Sequence, residues 1–456
     1  VQSRNYCYDR FALVAGRFQK IILTEPYLLT SKQRILLILG LILAGEAIFA
    51  LPFHLARFFR PTMLEMFDLT ATQLGAAQGV YGIVAMLAYF PGGLLADRFP
   101  AYKLMSLSLW ATALSGLYMA TFPSAVELMC LFGFFGLSTI LLFWGALIRV
   151  TREWGNKHEQ GLAFGLLEGG RGLLAVILAS LGVLLFQISF PLGYDTATSI
   201  EKQYIFRVVI LGYSLVTGLV GIYVWFVLKG LSHSQHNSNE KPFWAKISDN
   251  IQFVLSKLSV WLQSIIVICA YVGFKGFDNY SLYAVDVYGY DDIEAAKLVT
   301  LGSWVRPVAA VLLGLLADRF NVLKMLCLCF CILVCADSYF AFTTPNINLT
   351  WVLLINVLLT CIAIFGLRSL YFAIFEETKL SPKVTGSAVG LVSVIGFTPD
   401  VFVLYVAGIL IDNSPGVEGH QHFFLFLAAF AVIGLIASII LTVMTSKAIS
   451  INDNVL

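Results

Sequence analysis

Eight charged side chains interrupt long apolar runs of this chain: Glu46, Glu168, Arg171, Lys275, Asp278, Arg306, Arg368 and Asp400. If those runs cross a bilayer, each charge costs about 2.5–3.5 kcal/mol on the insertion scale and must have a partner or a task. Glu168–Arg171 and Lys275–Asp278 are spaced i, i+3, so each pair shares one helix face and can form an ion pair. Each pair is either self-satisfied or part of a substrate contact. Glu46, Arg306, Arg368 and Asp400 have no opposite charge at that spacing. An arginine grips a carboxylate or phosphate with a two-pronged fork, whereas a lone desolvated carboxylate can carry a proton at neutral pH. The expected chemistry is an anion held by Arg306 and Arg368, with Tyr371, Arg171 and Lys275 as further contacts. Proton coupling is expected through Glu46 or Asp400, with Glu168 and Asp278 as further candidates. The alternative is that the four lone charges pair with one another across helices. Asp337 lies in another apolar run and has no assigned task.

Other chemistry has little support. Cys327, Cys329, Cys331 and Cys335 fall in one helical run, where a spacing of two turns neighbours to different sides; buried, inert thiols are expected rather than metal ligands. His233, His236, His420 and His422 sit in polar stretches without Cys or acidic partners at ligand spacing, and are expected to be solvated. No D-D-x-x-D, H-E-x-x-H or P-loop motif occurs. No cofactor or metal is expected, and an enzyme is not.

The elements that must position these charges follow from composition. Of 456 residues, 59% are hydrophobic and 12% charged, with mean hydropathy +0.84. Soluble domains carry about 25% charged residues, so only a polytopic membrane protein fits. A net charge of +2 excludes a nucleic-acid partner. A membrane helix needs about 20 apolar residues, and such runs lie near 35–58, 73–96, 104–122, 125–150, 162–187, 205–228, 258–281, 296–316, 325–343, 350–375, 387–411 and 423–445. The reading is an all-α integral membrane fold of twelve transmembrane helices in two pseudo-symmetric six-helix bundles. The segments are 1–34 (cytoplasmic), 35–228 (first bundle), 229–257 (polar cytoplasmic linker), 258–445 (second bundle) and 446–456 (cytoplasmic tail). No cleavable signal peptide is expected from the polar, basic first 32 residues. With the N-terminus inside, inner segments hold 20 Lys and Arg and outer loops 5, so both termini are expected in the cytoplasm. The sequon at Asn348 abuts the membrane, and no glycan is expected there.

The chain also repeats itself. Gly93-Leu-Leu-Ala-Asp97-Arg98-Phe99 recurs letter for letter as Gly314-Leu-Leu-Ala-Asp318-Arg319-Phe320, and Lys103 and Lys324 follow at the same distance. The offset is 221 residues, close to half the chain. Gly161-x-Ala163-x-Gly165-Leu166 recurs similarly as Gly386-x-Ala388-x-Gly390-Leu391.

Twelve spans, two six-helix repeats and G-x-x-x-D-R-F-x-x-x-K after the second span of each half resemble the major facilitator superfamily over about residues 33–445. Pro100 and Tyr102 replace the second glycine and a basic residue usual in that motif. The resemblance implies a secondary transporter in which two halves rock about a central site. It implies a cytoplasmic gate built from Gly93, Asp97, Arg98, Lys103, Gly314, Asp318, Arg319 and Lys324, with both aspartates accepting hydrogen bonds from a facing helix terminus. The segment from Trp154 to Gly165 is similar to that of organic-anion and sugar-phosphate carriers, except that Gln160 replaces an arginine. Arg57, read as near the outer end of the first span, and Lys275 stand where those carriers use arginines. The proline-bearing signature of drug exporters is missing, which favours import.

The expected function is proton-coupled uptake of a small anionic organic solute. Alternatives are a carrier of an amino acid or neutral metabolite, an exporter, and, in other classes, an integral-membrane enzyme or a channel. Expected partners are the substrate, protons and the lipid bilayer, with the chain a monomer. Short outer loops point to a bacterial inner membrane. Arg149 and Arg152 read as positive-inside anchors, and the stripe Gly161, Gly165, Gly169 reads as a close-packing face.

Overall fold

A computed structural model describes residues 31–155, 159–231, 255–346, 349–371, 374 and 391–453, with the backbone alone at 160, 161, 230, 231, 310, 311, 314, 315, 318 and 447–453. His233, His236, Asn348, most of the linker and most of the second glycine motif lie outside the described residues. Among the described residues the chain is helical throughout, with no strand.

The first helix, α1, is broken: Ser31–Ala47 passes into Ala50–Phe58 with a bend of 42°. Pro52 sits in the π-helical turn Ala50–His54; its ring removes a backbone donor and kinks the helix there. There follow α2 (Ala71–Arg98), α3 (Ala101–Met119), α4 (Ala125–Gly155), α5 (Gln160–Ser189) and α6 (Ser199–Leu231). The second half comprises α7 (Leu258–Tyr288), α8 (Asp292–Phe320), α9 (Val322–Phe342), α10 (Thr350–Leu370), α11 (Leu391–Asn413) and α12 (Val417–Asp453). Four helices open on reciprocal capping boxes, Thr70 with Gln73, Ser124 with Glu127, Thr198 with Glu201 and Asp291 with Glu294, which satisfy first-turn N–H groups where the chain leaves water.

Nine of the described helices are long and apolar enough to cross a membrane, or ten counting bent α1 as one span. Helices α3 and α8 occupy the predicted third and eighth runs, with their apolar character diluted by Ser and Thr in α3 and by charged residues in α8. The helices carry outward-facing apolar side chains with no described protein over them: Leu87 on α2, Ile188 on α5 and Phe226 on α6 are each at least 70% exposed. In water such a surface would be an aggregation hazard; in a bilayer it is the solvated face.

Packing follows the repeat. Within the first half α3 pairs with α6, α2 with α4 and α1 with α6; within the second, α9 pairs with α12, α8 with α10 and α7 with α12. Across the halves α2 packs on α11 and α8 on α5, so exchanging the halves maps one contact onto the other. The α2–α11 crossing is backbone on backbone. A Cβ at Gly75 would lie 2.2 Å from the Leu404 carbonyl oxygen, and one at Gly408 would lie 2.5 Å from the Ala71 backbone. Only glycine allows that approach.

Candidate functional site

The mid-helix charges converge into two groups. In the first, α1, α5 and α8 bring together Glu46, Arg171, Glu168 and Arg306. Arg171 Nε donates to the Gly45 carbonyl at 2.9 Å and to Glu46 Oε2 at 3.0 Å, while Nη1 donates to Glu168 at 2.5 Å. Arg306 reaches Glu46 Oε1 at 3.6 Å and Glu168 Oε2 at 3.4 Å. His54, one bend beyond Glu46 on α1, donates to Glu46 Oε1 at 3.0 Å.

In the second group α1, α7 and α11 bring together Arg57, Asp278, Lys275 and Asp400. Arg57 Nε donates to Asp278 Oδ1 at 2.5 Å. Lys275 Nζ lies 3.5 Å from Asp278 Oδ2 and 3.3 Å from Asp400 Oδ1. The Tyr271 hydroxyl donates to Asp400 at 3.0 Å. Lys275 also stands over the Phe53 ring at 4.3 Å and Arg57 over Phe274 at 4.4 Å, contacts that favour a cation on an aromatic face.

Two carboxylates meet two cations in each group. Arg368, on α10, is left over. Among the described residues it forms no ion pair; its guanidinium stands over Phe274 at 4.0 Å and over Tyr271 at 5.9 Å. It lies within Coulombic range of Glu168, Arg171 and Arg306. Tyr371 follows it one turn later and is buried.

Several sequence expectations change. Arg306, Glu46 and Asp400 are not lone charges: each finds partners across helices, because a desolvated ion must pair somewhere. Arg57, near the end of α1, faces inward after the Pro52 bend, 7% exposed, onto Asp278. Arg149 has a further task beside the anchoring expected of it. It donates to the carbonyls of Ala96 and Phe99, satisfying the last turn of α2, where a basic residue also suits the helix dipole. No hydrogen bond reaches Asp97 among the described residues, and Arg98, Lys103, Arg319 and Lys324 are exposed; Gly314 and Asp318 lie outside the described side chains. Among the described residues no atom lies within 4 Å of where a Cβ at Gly165 or Gly169 would stand, so no described helix packs closely on that stripe. His420 is not solvated: it is fully buried and pairs with Asp286 at 2.9 Å. Asp337 is buried beside Tyr280, whose hydroxyl is 3.4 Å away.

Among the described residues, polar contacts joining the halves lie near mid-helix or toward the end carrying the 59–70, 289–291 and 414–416 connections. There the backbone N–H groups of Ala71 and Thr72 donate to Asp412 at 3.2 and 2.7 Å. The Thr62 hydroxyl donates to Asp292 at 2.6 Å. Asp292 precedes the apolar part of α8, and burial pushes its carboxyl from 3.8 up to about 6, with the nearby Glu65 adding to the rise and the Thr62 hydrogen bond and Lys202 opposing it. The closed contact therefore binds a proton more tightly than a solvated Asp292 does. Its contribution is full below about pH 4 and is lost as pH rises through about 6. Backbone amide protection over 59–66 and 289–296 should fall between pH 5 and pH 7.5, and Asp292→Asn should erase the difference. Equal protection at both pH values would contradict this.

Residues 42–399 match the Major Facilitator Superfamily. Inner membrane protein YihN of Escherichia coli is 29% identical over 427 residues, covering 91% of this chain and 96% of its own. Inner membrane protein YqcE of the same organism is 26% identical, covering 84% and 88%. Among solved structures, a bacterial homologue of the human lysosomal transporter Spinster, inward-facing and unoccupied, superposes with a TM-score of 0.70 at 15% identity over 93% of this chain and 98% of its own. With the repeat, the packing and the family match in agreement, the chain belongs to the major facilitator superfamily and is an integral membrane transporter.

Proposed function

We propose that the protein carries a small organic monoanion by alternating access, with Arg368 as the first contact and Asp400 as the proton-coupling group. One observation supports the reading above others: at the centre of the described helices four carboxylates are matched by four cations, and Arg368 is left with only aromatic faces beside it. Arg368 is half-buried; a guanidinium partly withdrawn from water without a counter-charge beside it is unfavourable alone, and a carboxylate or monoanionic phosphate ester is its natural partner. Arg306, Arg171, Lys275 and Tyr371 surround the same region as exchangeable contacts.

Coupling follows from charge balance. Asp400 is held by one lysine and one tyrosine hydroxyl. A proton on Asp400 adds one positive charge to the region around Lys275 and Arg368, and a monoanion cancels it, so proton and anion enter together with no net change in charge. Glu46, gripped by Arg171, Arg306 and His54, is a structural anchor in this scheme. Glu168, whose side chain is 46% exposed, is a second proton acceptor; Asp278 stays with Arg57. With both termini cytoplasmic in a bacterial inner membrane, the end where Thr62 meets Asp292 and Asp412 meets α2 is the outer one, and the repeated Asp97 and Asp318 heptads sit at the cytoplasmic gate.

Arg368→Lys keeps the charge and loses the fork. A hydrogen bond to a charged group contributes roughly 1.5–3 kcal/mol, and about 1.4 kcal/mol is tenfold in affinity, so binding should weaken about ten- to hundredfold. Titration of the purified variant with the transported anion checks this. Unchanged affinity would favour a neutral or zwitterionic substrate.

A further inference from the structure

Arg60, which opens the short helix Arg60–Met66, is fully buried. Its Nη1 donates to Gln78 Oε1 on α2 at 3.2 Å. Among the described residues its Nε and Nη2 have no partner, and neither has Gln78 Nε2, although Gln78 is 1% exposed. Three N–H-bearing nitrogens on two touching side chains are thus buried without an acceptor. Among the described residues no carboxylate comes within ion-pair distance of Arg60. The two carboxylates whose charge it feels are Asp278 and Asp412, and both are engaged: Asp278 with Arg57 and Lys275, Asp412 with the first N–H groups of α2. An arginine does not escape burial by losing its proton, and leaving a buried charge unpaired is strongly unfavourable.

We propose that Arg60 and Gln78 form a binding site for a small monovalent inorganic anion of the chloride type. The donors are all N–H groups, which suits an acceptor-only guest. One positive charge requires one negative charge. Asp278 and Asp412 nearby disfavour a dianion, and the buried setting disfavours an organic one. The site is distinct from the Arg368 region: it joins the segment after α1 to α2, next to the α2–α11 crossing. An anion there removes the cost of the closed face and so ties closure to the anion on that side.

The test uses the full-length purified protein in detergent, melted in sodium gluconate and in sodium chloride or bromide at matched ionic strength. Chloride and bromide should raise the melting temperature saturably, and gluconate should not. Gln78→Glu places a carboxylate beside Arg60 and supplies the counter-charge from within. That variant should melt higher than the parent in gluconate and should lose the halide-dependent shift. Arg60→Gln, if it folds, should also lose the shift. Equal melting of the parent in halide and gluconate would overturn the proposal, as would a halide response in Gln78→Glu equal to that of the parent.

Discussion

Replacing Arg171 by glutamine should destabilise the protein by about 3–5 kcal/mol, the cost of removing one partner from a buried ion pair. Arg171 holds Glu46 and Glu168 at once and caps the Gly45 carbonyl. Its loss leaves Glu46, 3% exposed, with Arg306 at 3.6 Å and His54. Thermal melting of the variant in detergent measures the loss. Glu46→Gln in the same chain should recover a large part of it, because the stranded charge is then gone. No recovery in the double variant would mean that Arg171 acts by packing alone.

Asp400→Asn has the largest expected effect on activity. Asparagine keeps the size and can still accept from the Tyr271 hydroxyl, but it neither titrates nor balances Lys275. Proton-driven accumulation into proteoliposomes should be abolished, while exchange of labelled for unlabelled substrate across the membrane persists. Glu46→Gln should differ: it disturbs stability first, since Glu46 is locked between two arginines. If Asp400→Asn accumulates substrate at the parental level, coupling runs through another group, with Glu168 next.

The helices were legible because membrane spans declare themselves by length and apolarity, and the duplicated Gly93 and Gly314 heptads announced the two halves. Charge pairs within one helix were equally legible: Glu168–Arg171 and Lys275–Asp278 follow from a spacing of three. What spacing could not show is which charges meet across helices. Glu46 and Arg306 lie 260 positions apart in the chain, and only packing of α1 on α5 and of α5 on α8 brings them together. The Arg57–Asp278 pair was hidden for a similar reason: its members lie 221 positions apart, and α1 bends by 42° around Pro52 before it reaches Arg57. His54, two turns beyond Glu46, was a residue whose role a helical wheel through the bend would have shown. Gly165 and Gly169 show the opposite limit, since a small-residue stripe looks alike whether or not a helix packs closely on it.

The central claim is that Arg368 takes a monoanion. It is tested most directly by thermal shift of the parent and of Arg368→Ala against matched sets of anionic, zwitterionic and neutral metabolites. A ligand at 100 times its dissociation constant adds about 2.7 kcal/mol to stability, which is ample for detection. The expected result is that stabilising ligands are monoanions and that their shifts vanish in Arg368→Ala, while the variant melts close to the parent without ligand. Stabilisation by neutral or zwitterionic compounds, with shifts retained in Arg368→Ala, would contradict it.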